Sequence, residues 1–138
     1  MDRPLESPHQ LVNPESLARP SGFSHAVVAQ SGRTIYLAGQ TAQAADGRIV
    51  GGTIVEQFEL AAANVLVALE AAGAHSQDLV SMQIFVTDIA AYREAGKAIG
   101  SAYRRHFGSH YPAMALLEVR RLFDPAAKIE IMCVAVTA

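Results

Sequence analysis

The stretch TIVEQFELAAANVLVALEAAG runs from Thr53 to Gly73, and LVSMQIFVT follows from Leu79 to Thr87. In the first, Val55, Phe58, Ala62, Val65, Leu66, Leu69 and Ala72 recur at the three- and four-residue spacing of one helix face. Thr53 followed by Glu56 is a capping-box pattern, and Gly73 is a stop, so a helix is predicted over Thr53–Ala72. In the second stretch Val80, Met82, Ile84 and Val86 alternate with Ser81, Gln83, Phe85 and Thr87. Alternate side chains of a strand point to opposite faces, so this strand has two different neighbours.

Other elements follow outward from this pair. Asp88 can cap a second helix over Ile89–Phe107, with Tyr92, Ala95, Ile99, Ala102 and Tyr103 as its apolar stripe. Gly96 and Gly100 weaken that helix and Gly108 ends it. Strands are expected over Ala113–Arg121 and Ala127–Val136, separated by a loop containing Asp124-Pro125. Before the first helix, two short strands, Ser24–Gln30 and Thr34–Ala38, read as a hairpin closed at Ser31-Gly32-Arg33. Residues 1–20 carry Pro4, Pro8, Pro14 and Pro20 and read as an irregular arm, which leaves 21–138 as one domain. The order is β-β-α-β-α-β-β. Its two β-α-β crossovers imply an α+β fold, a mixed sheet with both helices on one face. The other face would carry Phe85, Gln83 and further uncharged side chains, which points to an oligomer packing its sheets around a shared centre.

Hydrophobic residues make up 51% of the 138 and charged residues 17%, with a net charge of -2. That balance offers no electrostatic footprint for nucleic acid and no polybasic surface for a membrane. No apolar segment is long enough to span a bilayer, and the Pro-rich, acidic start is unlike a secretion signal. The single Cys133 excludes an internal disulfide framework. The expectation is a cytoplasmic protein.

Two carboxylates stand in strand-like apolar runs: Glu118 in MALLEV and Glu130 in KIEIMCV. A carboxylate held among apolar side chains is costly unless paired or hydrogen-bonded. Glu130 reads either as a general base that positions water or as an ion-pair partner of Lys128 or Arg121. Glu118 reads as a carboxylate for backbone donors or for an arginine of another subunit. Met114 is either a core methionine or the apolar wall of a cleft. Gly39 permits backbone approach to a ligand, or simply ends a strand. Ser24 and His25 are adjacent in a strand, point to opposite faces and form no nucleophile–base pair. His9, His75, His106, His110 and Cys133 lack metal-ligand spacing. His110, beside Tyr111-Pro112, reads as a surface residue or a cleft-mouth residue.

Taken in order, GFSHAV at Gly22–Val27, YLAGQ at Tyr36–Gln40, Asn64, EAAG at Glu70–Gly73 and FVTD at Phe85–Asp88 form a pattern. Pro112-Ala113, Glu118-Val119 and Ile129-Glu130-Ile131 complete it. The chain thus resembles the RidA (YjgF) family, also called the liver perchloric-acid-soluble protein family, from about Asn13 to Ala135. The resemblance implies a chorismate-mutase-like fold and a homotrimer with ligand clefts between subunits. It also implies hydrolysis of enamines and imines to a keto acid and ammonia without metal or cofactor. Some relatives are described as ribonucleases or translation inhibitors. In the archetype an arginine after Pro-Ala clamps the substrate carboxylate; here that position is Met114. Phe23 stands where tyrosine is frequent, Ala38 where serine is usual, and Met132 where a second glutamate follows Glu130. An asparagine of the second helix aligns with Gly100.

The resemblance therefore assigns water handling to Glu130. Phe23, Ala38, Gly39, Ala113, Met114 and Glu118 line the substrate site, with backbone amides near Gly39 and Ala113–Met114 holding an oxygen. The partners expected are a small molecule and further copies of the chain. A thioether supplies only dispersion and weak acceptance where a guanidinium would grip a carboxylate with paired donors. Arg104 and Arg105, at the end of the second helix, read as solvated or as entering a cleft, and the substrate is expected to differ from the archetypal 2-imino acids. The alternatives are a metabolite-binding module without turnover and, last, a ribonuclease, which would need a basic groove with stacking aromatics.

Overall fold

The protein is described by a computed structural model covering residues 6–138. Thr53 caps the long helix α1, Ile54–Ala71: its hydroxyl accepts from the Glu56 amide at 3.1 Å and donates to the Glu56 carboxylate at 3.0 Å. Phe58, Ala61, Ala62, Val65 and Leu69 on one side of α1 are fully buried. They pack on one face of a four-stranded sheet built from β3 (Arg33–Tyr36), β6 (Ile129–Thr137), β4 (Leu79–Val86) and β5 (Ala113–Glu118), in that spatial order. β6 runs antiparallel to both of its neighbours, and β4 and β5 are parallel. The sheet is mixed and the fold is α+β.

Register decides which residues share a face. Met114 lies opposite Met82, which lies opposite Cys133; Leu117 lies opposite Phe85, which lies opposite Glu130. The first set, with Ile84, Ile129, Ile131 and Ala135, joins the helices in one core. Residues of the second face, Gln83, Leu117 and Met132 among them, are exposed, and Tyr36 keeps 80% of its surface open. The helix-free face anticipated around Phe85 and Gln83 is thus present.

Three local expectations are corrected. The strands β2 (Ala26–Val28) and β3 form no hairpin: β2 pairs with β1 (Gln10–Val12), and β3 pairs with β6. The linker explains why. A Cβ on Gly32 would stand 2.3 Å from the Thr137 carbonyl oxygen, so this glycine lets the chain cross over the end of β6. The second change is β1 itself, which lies inside the segment expected to be irregular; residues 1–5 fall outside the described chain. Third, the helix expected over Ile89–Phe107 is two helices, α2 (Ile89–Glu94) and α3 (Gly96–Phe107), joined at Ala95. Asp88 caps α2 by accepting from the Ala91 amide at 3.1 Å. The break falls beside Gly96, where the helix is intrinsically weakest. Strand ends also shift: β5 stops at Glu118 rather than Arg121, and β6 runs Ile129–Thr137 rather than Ala127–Val136.

Ile99, Ala102, Tyr103 and Phe107 pin α3 against α1 and the sheet. Gln57 of α1 is buried yet fully engaged. Its amide donates to the carbonyls of Gly51 and Ala126, each at 3.0 Å, and its oxygen accepts from the Lys128 amide at 2.7 Å. One side chain thereby ties the loop before α1 to the loop before β6.

Candidate functional site

Two adjoining cavities of about 290 and 400 Å³ share Ser21, Gly22, Ile84, Tyr92 and Met114 and form one cleft beside the edge strand β5. Phe23 and Leu116 line one end; Tyr103, Tyr111 and Arg104 line the other. Ser24 anchors this wall. Its amide donates to the Pro112 carbonyl at 3.0 Å and its hydroxyl to the Tyr111 carbonyl at 2.6 Å. The Ser21–Phe23 segment is thus held beside Met114 as a continuation of the sheet edge, with Ser24 opposite Ala113.

The cleft is mostly apolar and aromatic. Tyr103 and Tyr111 stack, with ring centroids 4.9 Å apart and planes 8° apart. Tyr103 donates its hydroxyl to the His110 carbonyl at 2.7 Å. Burial holds the Tyr92 and Tyr103 hydroxyls above the usual tyrosine pKa, so both remain protonated.

Glu130 lies elsewhere. It stands on the helix-free face opposite Phe85 and makes no ion pair with Lys128, Arg121 or any other described residue. Gly39 is its neighbour: a Cβ there would stand 2.8 Å from the Glu130 carboxyl. The missing side chain makes room for this carboxylate. The Gln40 and Ile131 backbones hold the notch in place with two hydrogen bonds of 2.8 Å. Ala38 is exposed beside it.

The residues expected at one site therefore fall into two groups. Phe23 and Met114 gather at the cleft on the helix side of the sheet, whereas Ala38, Gly39 and Glu130 gather on the open side, the face to which Ala113, paired with Ser81, also belongs. Glu118 joins neither group. It accepts from the Ile89 amide at 3.0 Å and steadies the first turn of α2.

His110, read from the sequence as a surface or cleft-mouth residue, is buried, with Nε2 2.7 Å from the Leu79 carbonyl oxygen. Its burial lowers its pKa. The His25 ring meets the Ala18 carbonyl at 2.7 Å, away from the Ser24 hydroxyl's own partner. Cys133 is buried and its thiol is pushed up to about 12 by burial. No group of three His, Cys, Asp or Glu side chains among the described residues could hold a metal ion.

Ser21, Tyr92 and Tyr111 were not legible as cleft residues. Tyr92 belongs to a helical apolar stripe, which reads as core whether it covers a sheet or frames a cavity.

The geometry is that of an α+β chain with an apolar cleft at a sheet edge and a carboxylate on its helix-free face. The comparisons give that chain a family. The family model described as Endoribonuclease L-PSP matches residues 14–137. The chain is 32% identical over 115 residues to the 2-iminobutanoate/2-iminopropanoate deaminase of Capra hircus, covering 83% of this chain and 79% of that protein. It is 32% identical over 126 residues to the mitochondrial protein mmf2 of Schizosaccharomyces pombe, covering 90% of this chain and 94% of that one. Among solved structures, the Rid-family protein YyfB of Yersinia pestis superposes with a TM-score of 0.80 at 33% identity, covering 94% of this chain and 98% of that one. The chain belongs to the L-PSP family, the Rid (YjgF) group of proteins. Its fold is that of the group.

Proposed function

We propose that this protein hydrolyses an imine or enamine of a small carbonyl metabolite, working as a homotrimer with its clefts completed between copies. The observation that carries this reading is the division of the site. Met114 and Glu130 lie on opposite faces of one sheet, so a Glu130 meets a Met114 cleft only when a second copy supplies it. The helix-free face around Phe85, Leu117 and Met132, with Glu130 among them, is the surface such copies would share.

The chemistry asked of Glu130 is proton transfer. As a general base the carboxylate takes a proton from water while the water oxygen adds to the C=N carbon. That proton passes to the imine nitrogen, giving a neutral carbinolamine. The carboxylate then takes the carbinol hydroxyl proton and delivers it to the nitrogen as C=O forms and the C–N bond breaks, so ammonia and a carbonyl product leave and Glu130 is returned as the carboxylate. A carboxylate with no ion-pair partner among the described residues is available for both transfers. Backbone amides near Gly39 and Ala113–Met114 would hold the developing oxygen.

Met114 leaves the sheet side of the cleft without the cation that would hold the carboxylate of a small 2-imino acid there. We infer slow turnover of 2-iminopropanoate and 2-iminobutanoate and better turnover of substrates with a larger apolar body. The Capra hircus protein is named for the two small substrates and serves as the reference. The test is ammonia release from both imino acids and from the imine of phenylpyruvate, with each enzyme. Equal rates on the small substrates would overturn the role given to Met114. No release from any imine would leave the second reading, a binding module without turnover, which the apolar lining of the cleft also fits. A ribonuclease is disfavoured: among the described residues Arg104 is the one cation lining this cleft, and RNA calls for a basic groove. A cytoplasmic setting is inferred from the single Cys133.

A further inference from the structure

We propose that Arg104 is the anion clamp of this cleft, so that the cleft takes an amphiphilic carboxylate: an aromatic or branched apolar body lies against Met114, and the carboxylate reaches the guanidinium on α3. The inference rests on the reading of the cleft as a small-molecule site and names the class of molecule that fits it.

The last turn of α3 carries Arg104, Arg105 and His106. Two of the three are occupied. The Arg105 guanidinium and the His106 ring both bind the Glu59 carboxylate, His106 at 2.7 Å. Arg104 has no ion pair among the described residues. Its one side-chain hydrogen bond among the described residues is a long one, 3.4 Å, to the Ser101 hydroxyl. It lines the same 290 Å³ cavity as Met114, from the opposite element.

The space between them is kept open by the helix itself. Gly96 and Gly100 line the cavity, and no neighbour requires them to be small. A Cβ on Gly96 would meet nothing within 4 Å; one on Gly100 would meet only the Arg104 guanidinium, at 3.7 Å. Glycine within a helix is destabilising, and close packing, the usual reason to keep it, is absent here. What the two glycines do provide is an unobstructed lane from the sheet to Arg104.

The walls of the lane are aromatic: Tyr92 and the stacked Tyr103–Tyr111 pair line it. Tyr92 lines both cavities, and its hydroxyl has no hydrogen-bond partner among the described residues. A planar apolar group fits between such walls, whereas a two- or three-carbon acid leaves them uncovered.

The test is calorimetric titration of the full chain with 3-phenylpropanoate, its neutral isostere 3-phenylpropanamide, and pyruvate. Wild-type protein should bind the aromatic acid on the order of tenfold more tightly than the amide, and pyruvate more weakly than the acid. Arg104→Ala should erase the preference for acid over amide. Arg104→Lys should restore part of it, and Arg105→Ala should leave it intact. Gly100→Val should weaken acid and amide together. A preference that survives Arg104→Ala, equal binding of acid and amide by the wild type, or no binding of the acid would overturn the proposal. Binding and turnover fail separately. An Arg104-dependent preference in a protein that releases no ammonia from imines would sink the hydrolase and keep the clamp. Imine hydrolysis unaffected by Arg104→Ala would do the reverse.

Discussion

Met114 offers its cleft dispersion and no charge. Met114→Arg should therefore return a carboxylate donor pair to the sheet side of the cavity. A charge-assisted contact is worth about 1.5–3 kcal/mol, so kcat/KM for 2-iminopropanoate should rise by about 10- to 100-fold, mainly through KM. Steady-state ammonia release checks it; an unchanged KM would show that the small imino acid never reaches position 114. Glu130 is the complementary case. It makes no ion pair among the described residues, and the Gly39 notch accommodates an isostere. Glu130→Gln should leave the melting temperature within a degree or two while kcat falls by about a hundredfold or more, the usual cost of removing a general base. Loss of folding with activity would mean that the carboxylate is structural.

His110 makes a residue-scale prediction about pH. Burial lowers its pKa in the folded chain, with the neighbouring His9 pushing the same way and the Leu79 carbonyl and Asp78 opposing. The unfolded chain therefore binds the proton first as pH falls below about 6.5. Stability is full above that value, and declines as pH drops from it towards the lowered folded-state value. His106, also lowered by burial and by Arg105, adds in the same direction. Urea unfolding between pH 7.5 and 5 should show this slope, and His110→Gln should flatten it. A slope of the opposite sign would contradict the buried, neutral imidazole.

Among the elements, two glycines with opposite surroundings separate packing from propensity. A Cβ at Gly32 would strike the Thr137 carbonyl, which belongs to backbone and cannot swing away. Gly32→Ala should cost about 1–3 kcal/mol by urea unfolding, as overpacking does. Gly100 sits inside α3 with open space above it. Gly100→Ala should stabilise by about 0.5–1 kcal/mol, the difference in helix propensity. If both substitutions destabilise alike, the lane above α3 is narrower than described. The same pair shows what sequence could disclose. The weakness of the second helix at Gly96 and Gly100 was legible; that it becomes a break at Ala95 was not, because propensity ranks sites without choosing among them. Ser31-Gly32-Arg33 had every local mark of a hairpin, yet the glycine serves a contact with a strand about a hundred residues later.

For the whole molecule, the helix-free sheet face carries the main prediction. Leu117 is 43% exposed on it and lies opposite Phe85. Leu117→Glu should leave the chain folded, since the side chain lies outside the core cluster, and should turn the proposed trimer into monomers by light scattering after size exclusion. Imine hydrolysis should disappear with the trimer if Glu130 serves a neighbour's cleft. Activity retained by a monomeric variant would show that one chain suffices.

The periodicities of Thr53–Ala72 and Leu79–Val86 and the order of elements were enough for the α+β architecture, because burial of one face imposes a repeat on every strand and helix. Phe23 and Met114 could likewise be nominated from residue type and order. Their separation from Ala38, Gly39 and Glu130 could not. It follows from strand pairing, in which a shift of one residue moves a side chain through the sheet, and pairing between distant segments leaves no local trace. Arg104 could be named as a helix-end cation, but that it lines one cavity with Met114, ten residues on, was decided by packing.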